Sequence, residues 1–273
     1  MKRFLLASSF AVALAGSAFA ADMSPPPAAF KAPPPPPPSW TGCYIDGGVG
    51  YGVWNQDVSL TGPPIGGGAV TTTNTTTDGG RGWLGRVGGG CDYQFAVGGF
   101  GDFVIGAFAD YDFMGLNGTN LPNELVIGGP GGVTSPLASN VHETDAWYAG
   151  ARLGYLPYPN LMTFVSGGWT GTRFTMSPEF MTFNGAAAGF TFPGAYTVNG
   201  WFLGGGYEYR VPWAWASGLY WRTEYRFAEY NKINLAESFV GGGLTGNIQT
   251  NQSFVQTVTT GLVWKFNWGG SHW

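Results

Sequence analysis

Charge is scarce in this chain. Asp, Glu, Lys and Arg make up 10% of its residues, where soluble domains carry roughly 25%. Histidine and cysteine are scarcer, with two of each: His142 and His272, Cys43 and Cys91. No zinc spacing, phosphate loop or nucleophile elbow is present, so no enzyme, catalytic residue, cofactor or metal is expected. A net charge of −4 argues against nucleic acid as a partner. Long apolar runs are missing too, and none after Ala20 could form a spanning helix.

What the chain has in abundance is glycine, 47 residues, and aromatic side chains, 16%. Many aromatics with few charges suit a surface that faces lipid. A membrane protein without spanning helices must be a closed β-barrel. A secreted soluble protein is the competing class.

Residues 1–20 read as a secretory signal peptide, with Lys2 and Arg3 before an apolar centre and an Ala18-Phe19-Ala20 cleavage site. Its removal takes Lys2 and Arg3 away and moves the net charge from −4 to −6. Residues 21–39 are Pro-rich, with Pro25 to Pro27 and Pro33 to Pro38. Such a run is extended, at about 3.1 Å per residue. A passive periplasmic linker is preferred to a tether for the cell wall or a periplasmic partner. The barrel is expected over residues 40–268, with 269–273 as a tail.

The clearest strand is residues 219–230, LYWRTEYRFAEY. Side chains alternate across a strand, which puts Leu219, Trp221, Thr223, Tyr225 and Phe227 on one face and Arg222, Glu224 and Arg226 on the other. In a transmembrane barrel the first face meets lipid and the second fills the lumen. The same pattern recurs at 40–53, 82–95, 103–113, 146–156, 198–211 and 254–266, while 161–174 is apolar on both faces and leaves its sides unassigned. The fold class is therefore all-β, an eight-stranded antiparallel transmembrane barrel. Connections after the second, fourth and sixth strands are short. The others run to about twenty to thirty residues, the arrangement of an outer-membrane barrel with its long loops outside. Runs such as Gly88-Gly89-Gly90 are expected to permit the bends of a small barrel.

The inward charges are Arg86, Arg152, Arg210, Arg222, Arg226 and Lys265 against Asp46, Asp92, Asp110, Asp112, Glu208 and Glu224. The set balances. Buried charge is tolerated when paired, and eight strands enclose a space that side chains can fill. A plugged, salt-bridged lumen is preferred to a narrow polar channel. Cys43 and Cys91 fall on the outward faces of strands one and two, roughly opposite, and an oxidising periplasm favours a cross-strand disulfide over two free thiols. His142, beside Glu143 and Asp145 at the outer mouth, has no partnered serine and reads as a solvated loop residue.

Several short stretches resemble a known group. They are Trp40-Thr41-Gly42-Cys43-Tyr44, Gly90-Cys91-Asp92-Tyr93-Gln94, Ala149-Gly150-Ala151-Arg152-Leu153-Gly154-Tyr155, Thr223-Glu224-Tyr225 and Leu262-Val263-Trp264-Lys265-Phe266. In this order they are similar to the small outer-membrane barrels of alphaproteobacteria, the porin-family or outer-membrane immunogenic proteins. The resemblance implies a barrel in the outer membrane of a Gram-negative cell, in contact with lipid and lipopolysaccharide and recognised by the outer-membrane assembly machinery. Some relatives are porins, others surface antigens or haem binders. The group usually ends at the aromatic-basic-Phe of the last strand, whereas here Asn267 to Trp273 follow Phe266. The expected role is structural and surface-exposed, with a small-solute porin as the alternative and a receptor or adhesin acting through the long loops as the third.

Overall fold

The computed structural model describes residues 39–62, 71–72, 75–120, 125–126, 134–135, 139–177, 179–183, 186–213, 218–239 and 241–266. The expected signal peptide, the Pro-rich segment up to residue 38, and the tail with His272 lie outside the described residues.

Eight long strands run in chain order: β1 (Gly42–Gly62), β2 (Thr76–Val97), β3 (Gly101–Asn120), β4 (Ser139–Tyr158), β5 (Leu161–Met176), β6 (Ala195–Arg210), β7 (Leu219–Tyr230) and β8 (Leu244–Phe266). Each pairs antiparallel with its sequence neighbour, and β8 pairs back with β1, so the sheet closes into a barrel. Closure leaves none of the eight with an unpaired edge. Shorter strands, Glu179–Phe183, Ala186–Thr191 and Ile233–Phe239, extend the sheet at the end of the long connections, with Ile233–Phe239 hydrogen-bonded to the start of β8.

Alternation sets the two faces. Ile45, Val87, Ile105, Leu153, Leu203 and Val258 point outward and are about half exposed. Toward the long connections this apolar belt is bounded by Tyr51, Trp83, Tyr111, Trp147, Trp169 and Trp201; toward the short turns by Tyr93, Tyr155, Tyr209, Trp221 and Trp264. Two aromatic rings around an apolar band are the outer surface of a membrane barrel. Beyond the first ring the outward residues turn polar, with Asn55, Asn117, Arg173, Thr197 and Asn199 exposed. The unassigned strand resolves in the same way: Met162, Phe164, Ser166, Thr170 and Phe174 of β5 are buried inside, and Val165 and Trp169 face out.

The strands are longer than their apolar belts. β1 continues past residue 53 to Gly62, β3 past 113 to Asn120, and β8 begins at Leu244 rather than at 254. The backbone ladder has no reason to stop where lipid stops, so the barrel extends as a polar-faced tube. The long connections shrink accordingly to residues 63–75, 121–138, 177–194 and 231–243. Leu219, on the outward set by alternation, is only 8% exposed at the start of β7.

Candidate functional site: the ion-paired lumen

The inner half of the lumen, nearer the short turns, is filled by charged side chains in two ion-paired groups. In the first, Arg86 grips Asp112, its register partner on β3, through Nε at 2.7 Å, and reaches Glu224 at 3.2 Å. Arg226 binds the same Glu224 carboxylate at 2.8 Å and also contacts Asp110. In the second, Arg152 spans Asp92 at 2.5 Å and Glu208 at 3.2 Å, and Arg222 spans Glu208 at 3.0 Å and Asp46 at 3.2 Å. Lys265 bridges Asp92 and Glu208, both at 2.9 Å. Every cation of the network thus touches two carboxylates.

Aromatic rings brace these groups. The Tyr44 ring lies between the guanidinium groups of Arg152 and Arg222, at 4.5 and 4.7 Å. Arg226 is boxed by Phe108, Tyr148 and Phe202. Lys265 sits 4.4 Å above Trp40 and 5.0 Å above Tyr220. Such contacts strengthen when desolvated. Trp40 closes the short-turn end. Its ring is fully buried, its backbone N–H donates to Gln94 Oε1 at 2.8 Å, and its indole N–H donates to the Pro159 carbonyl at 3.2 Å.

Inward glycines make the room. A Cβ on Gly88 would collide with Asp110 Oδ1, and one on Gly106 with Asp92 Oδ1. Both glycines are direct register partners of charged residues, Gly88 of Asp110 and Gly106 of Asp92 and Arg152. Their missing side chains therefore create space for carboxylates, beyond any help they give to bending.

Eleven of the twelve inward charges expected from the sequence meet in this network; Arg210 does not. It is the last residue of β6, at the short-turn rim, partly exposed, and its backbone N–H donates to the Asn160 carbonyl. Without it the network has one more carboxylate than cations, so the balance expected from the sequence is not met within the cluster. On the outer wall Cys43 and Cys91 are register partners and form a disulfide.

The outer half of the lumen is built differently. Gln56 Nε2 donates to the Tyr196 hydroxyl at 2.8 Å and to Ser253 Oγ at 2.9 Å, and Gln249 Nε2 donates to Asn251 Oδ1 at 2.8 Å. Trp54 packs edge-on against Phe174, and Phe174 stacks on Tyr196. Glu143, which alternation does not mark as inward, is fully buried here and accepts a hydrogen bond from the Thr172 hydroxyl at 2.8 Å. His142 is partly exposed, its ring nitrogen against Asn117 Oδ1, while Asp145 accepts a hydrogen bond from Thr144. Among the described residues no group of three or more His, Cys, Asp and Glu side chains is placed to hold a metal.

A closed antiparallel barrel with an apolar, aromatic-ringed outer belt and a charged interior defines a membrane-barrel class of protein. No protein-family model matches the chain, and no curated protein does. Among solved structures it is similar to the outer membrane protease OmpT of Escherichia coli, with 10% identity over 82% of this chain and 97% of that one, TM-score 0.41. It is also similar to the outer membrane protein OprG of Pseudomonas aeruginosa, with 11% identity over 83% and 97% and TM-score 0.37. A third is the attachment invasion locus protein Ail of Yersinia pestis, with 8% identity over 81% and 99% and TM-score 0.30. At these values nothing about substrate, partner or activity passes from them to this chain.

Proposed function

We propose that this chain is an integral outer-membrane barrel with a structural, surface-exposed role and a lumen plugged by its own ion pairs. It makes contact with lipid and lipopolysaccharide through the apolar belt, it reaches the membrane through the outer-membrane assembly machinery, and it performs no chemistry. The observation that carries the reading is the network in which Arg86, Arg152, Arg222, Arg226 and Lys265 each bind two carboxylates across the lumen. Solute passing that layer would have to part buried, doubly paired charges, and a buried charge separated from its partner is strongly unfavourable. A cavity beside Asp46, Arg86 and Arg222 holds about 20 Å³, room for roughly one water.

The test is ion conductance of the refolded chain in a planar bilayer. A bilayer that stays silent while the protein is shown to be folded and inserted is the expected result. Discrete, reproducible steps would replace the plugged barrel with a small-solute channel.

A further inference from the structure

Glu143 stands apart from every other charge described in the lumen. It is fully buried, its Oε1 accepts from Thr172, and its Oε2 has no hydrogen-bond partner. It makes no ion pair among the described residues. The charges that act on it most are Asp112 and Asp145, both negative. A buried carboxylate in a negative surrounding is neutralised by a proton or, where one can reach it, by a bound cation.

A local irregularity puts it there. Along β4 the buried residues are Tyr148 and Ala146, and the alternation then slips at Thr144, so that Glu143 and Val141 point inward. The slip is a β-bulge between Glu143 and Asp145. Without it the phase would turn Glu143 to water, since a one-residue shift exchanges the two faces.

The surroundings supply more oxygen. Gln56 is fully buried and its Oε1 is also without a hydrogen-bond partner. Gln56 and Glu143 flank the same aromatic pair. Gln56 is hydrogen-bonded to Tyr196, the Tyr196 ring is 5.5 Å from that of Phe174, and Phe174 is the register partner of Glu143. Glu143 is close enough to act electrostatically on both Tyr196 and Tyr230. A carboxylate joined by neutral amide and hydroxyl oxygens would make a hard donor set. It lacks the nitrogen and sulfur that transition metals prefer and the several carboxylates of a calcium site. A single positive charge neutralises it.

We infer that Glu143, assisted by Gln56, binds a monovalent metal cation of the sodium type in the outer half of the lumen. The site lies beyond the aromatic ring, level with the exposed polar residues Asn117 and Arg173 that are near it in register, and it requires no open path through the ion-paired layer.

Thermal unfolding of the refolded full chain tests this, in sodium chloride against N-methylglucamine chloride at equal ionic strength and about pH 8. The wild type should melt several degrees higher in sodium, and Glu143→Gln should melt alike in the two salts. Equal melting of the wild type in both salts, or an undiminished sodium effect in Glu143→Gln, overturns the proposal. Should Glu143→Gln fail to fold, sodium NMR of the wild type decides. Line broadening that excess potassium or lithium relieves supports the site, and an unbroadened line overturns it.

Discussion

In the half of the lumen nearer the short turns, Glu208 is touched by Arg152, Arg222 and Lys265. In the other half Glu143, equally buried, is held by a single threonine hydroxyl. The inner half is organised by charge, braced with aromatic faces, and leaves each cation doubly bound. The outer half is organised by amides, hydroxyls and stacked rings. The difference follows the membrane. The charged layer lies within the apolar belt, where the surrounding lipid offers no hydrogen bonds and each cation is paired with two carboxylates. The amide layer lies beyond it, where the outer wall carries Asn55, Asn117 and Arg173 and water is near. Charge pairing dominates the inner layer. Its contribution to net stability is smaller than its cost when broken, because desolvation offsets much of the attraction.

That contrast can be tested by damaging each half in turn. The largest effect is expected from Glu208→Ala, which leaves Arg152, Arg222 and Lys265 each short of a carboxylate. It should lower the unfolding free energy in urea by about 3–5 kcal/mol, and a loss below about 1 kcal/mol would mean that the pairing is incidental. Next is Gly106→Val, whose side chain would enter the space of the Asp92 carboxylate. Overpacking of this kind costs about 1–3 kcal/mol, read from the same urea curve. The effect expected in the outer half is spread over pH and is smallest when read as a slope, per pH unit. Burial beside Asp112 and Asp145 raises the Glu143 carboxyl from 4.5 to about 8. The folded chain therefore holds this proton more tightly than the unfolded chain. The resulting stability is fully present below about pH 4.5 and is lost as pH rises through about 8. In sodium-free buffer the contribution falls by at most about 1.4 kcal/mol per pH unit. Glu143→Gln should flatten that part of the stability–pH curve, and an unchanged curve would show that Glu143 does not titrate as its burial requires.

How far the sequence could be read depended on where period-two alternation held. It held throughout the belt, so the inward set Arg86, Asp112, Arg222, Glu224 and Arg226 could be picked out from spacing alone. It failed at Thr144, where the bulge reverses the faces and hides Glu143, and no composition signal marks that slip. Strand ends were illegible for another reason. Asn55, Gln56 and Asp57 look like loop residues, yet they continue the ladder with β8 and β2 beyond the lipid. Arg210 has the correct parity but falls at the end of β6, and parity carries no information about depth. The glycines could be seen but not interpreted. Only the register shows that Gly88 and Gly106 stand opposite charged partners.

The pairing of β1 with β8 has a consequence in time. Cys43 lies opposite Phe266, so the first barrel strand waits for the last before its second edge is covered. A chain made from its N-terminus cannot close the ring gradually. Until β8 arrives, β1 and β7 each present a free row of amides and carbonyls. The interval between synthesis and closure is therefore when intermolecular pairing competes, and whatever escorts the chain must cover two edges at once.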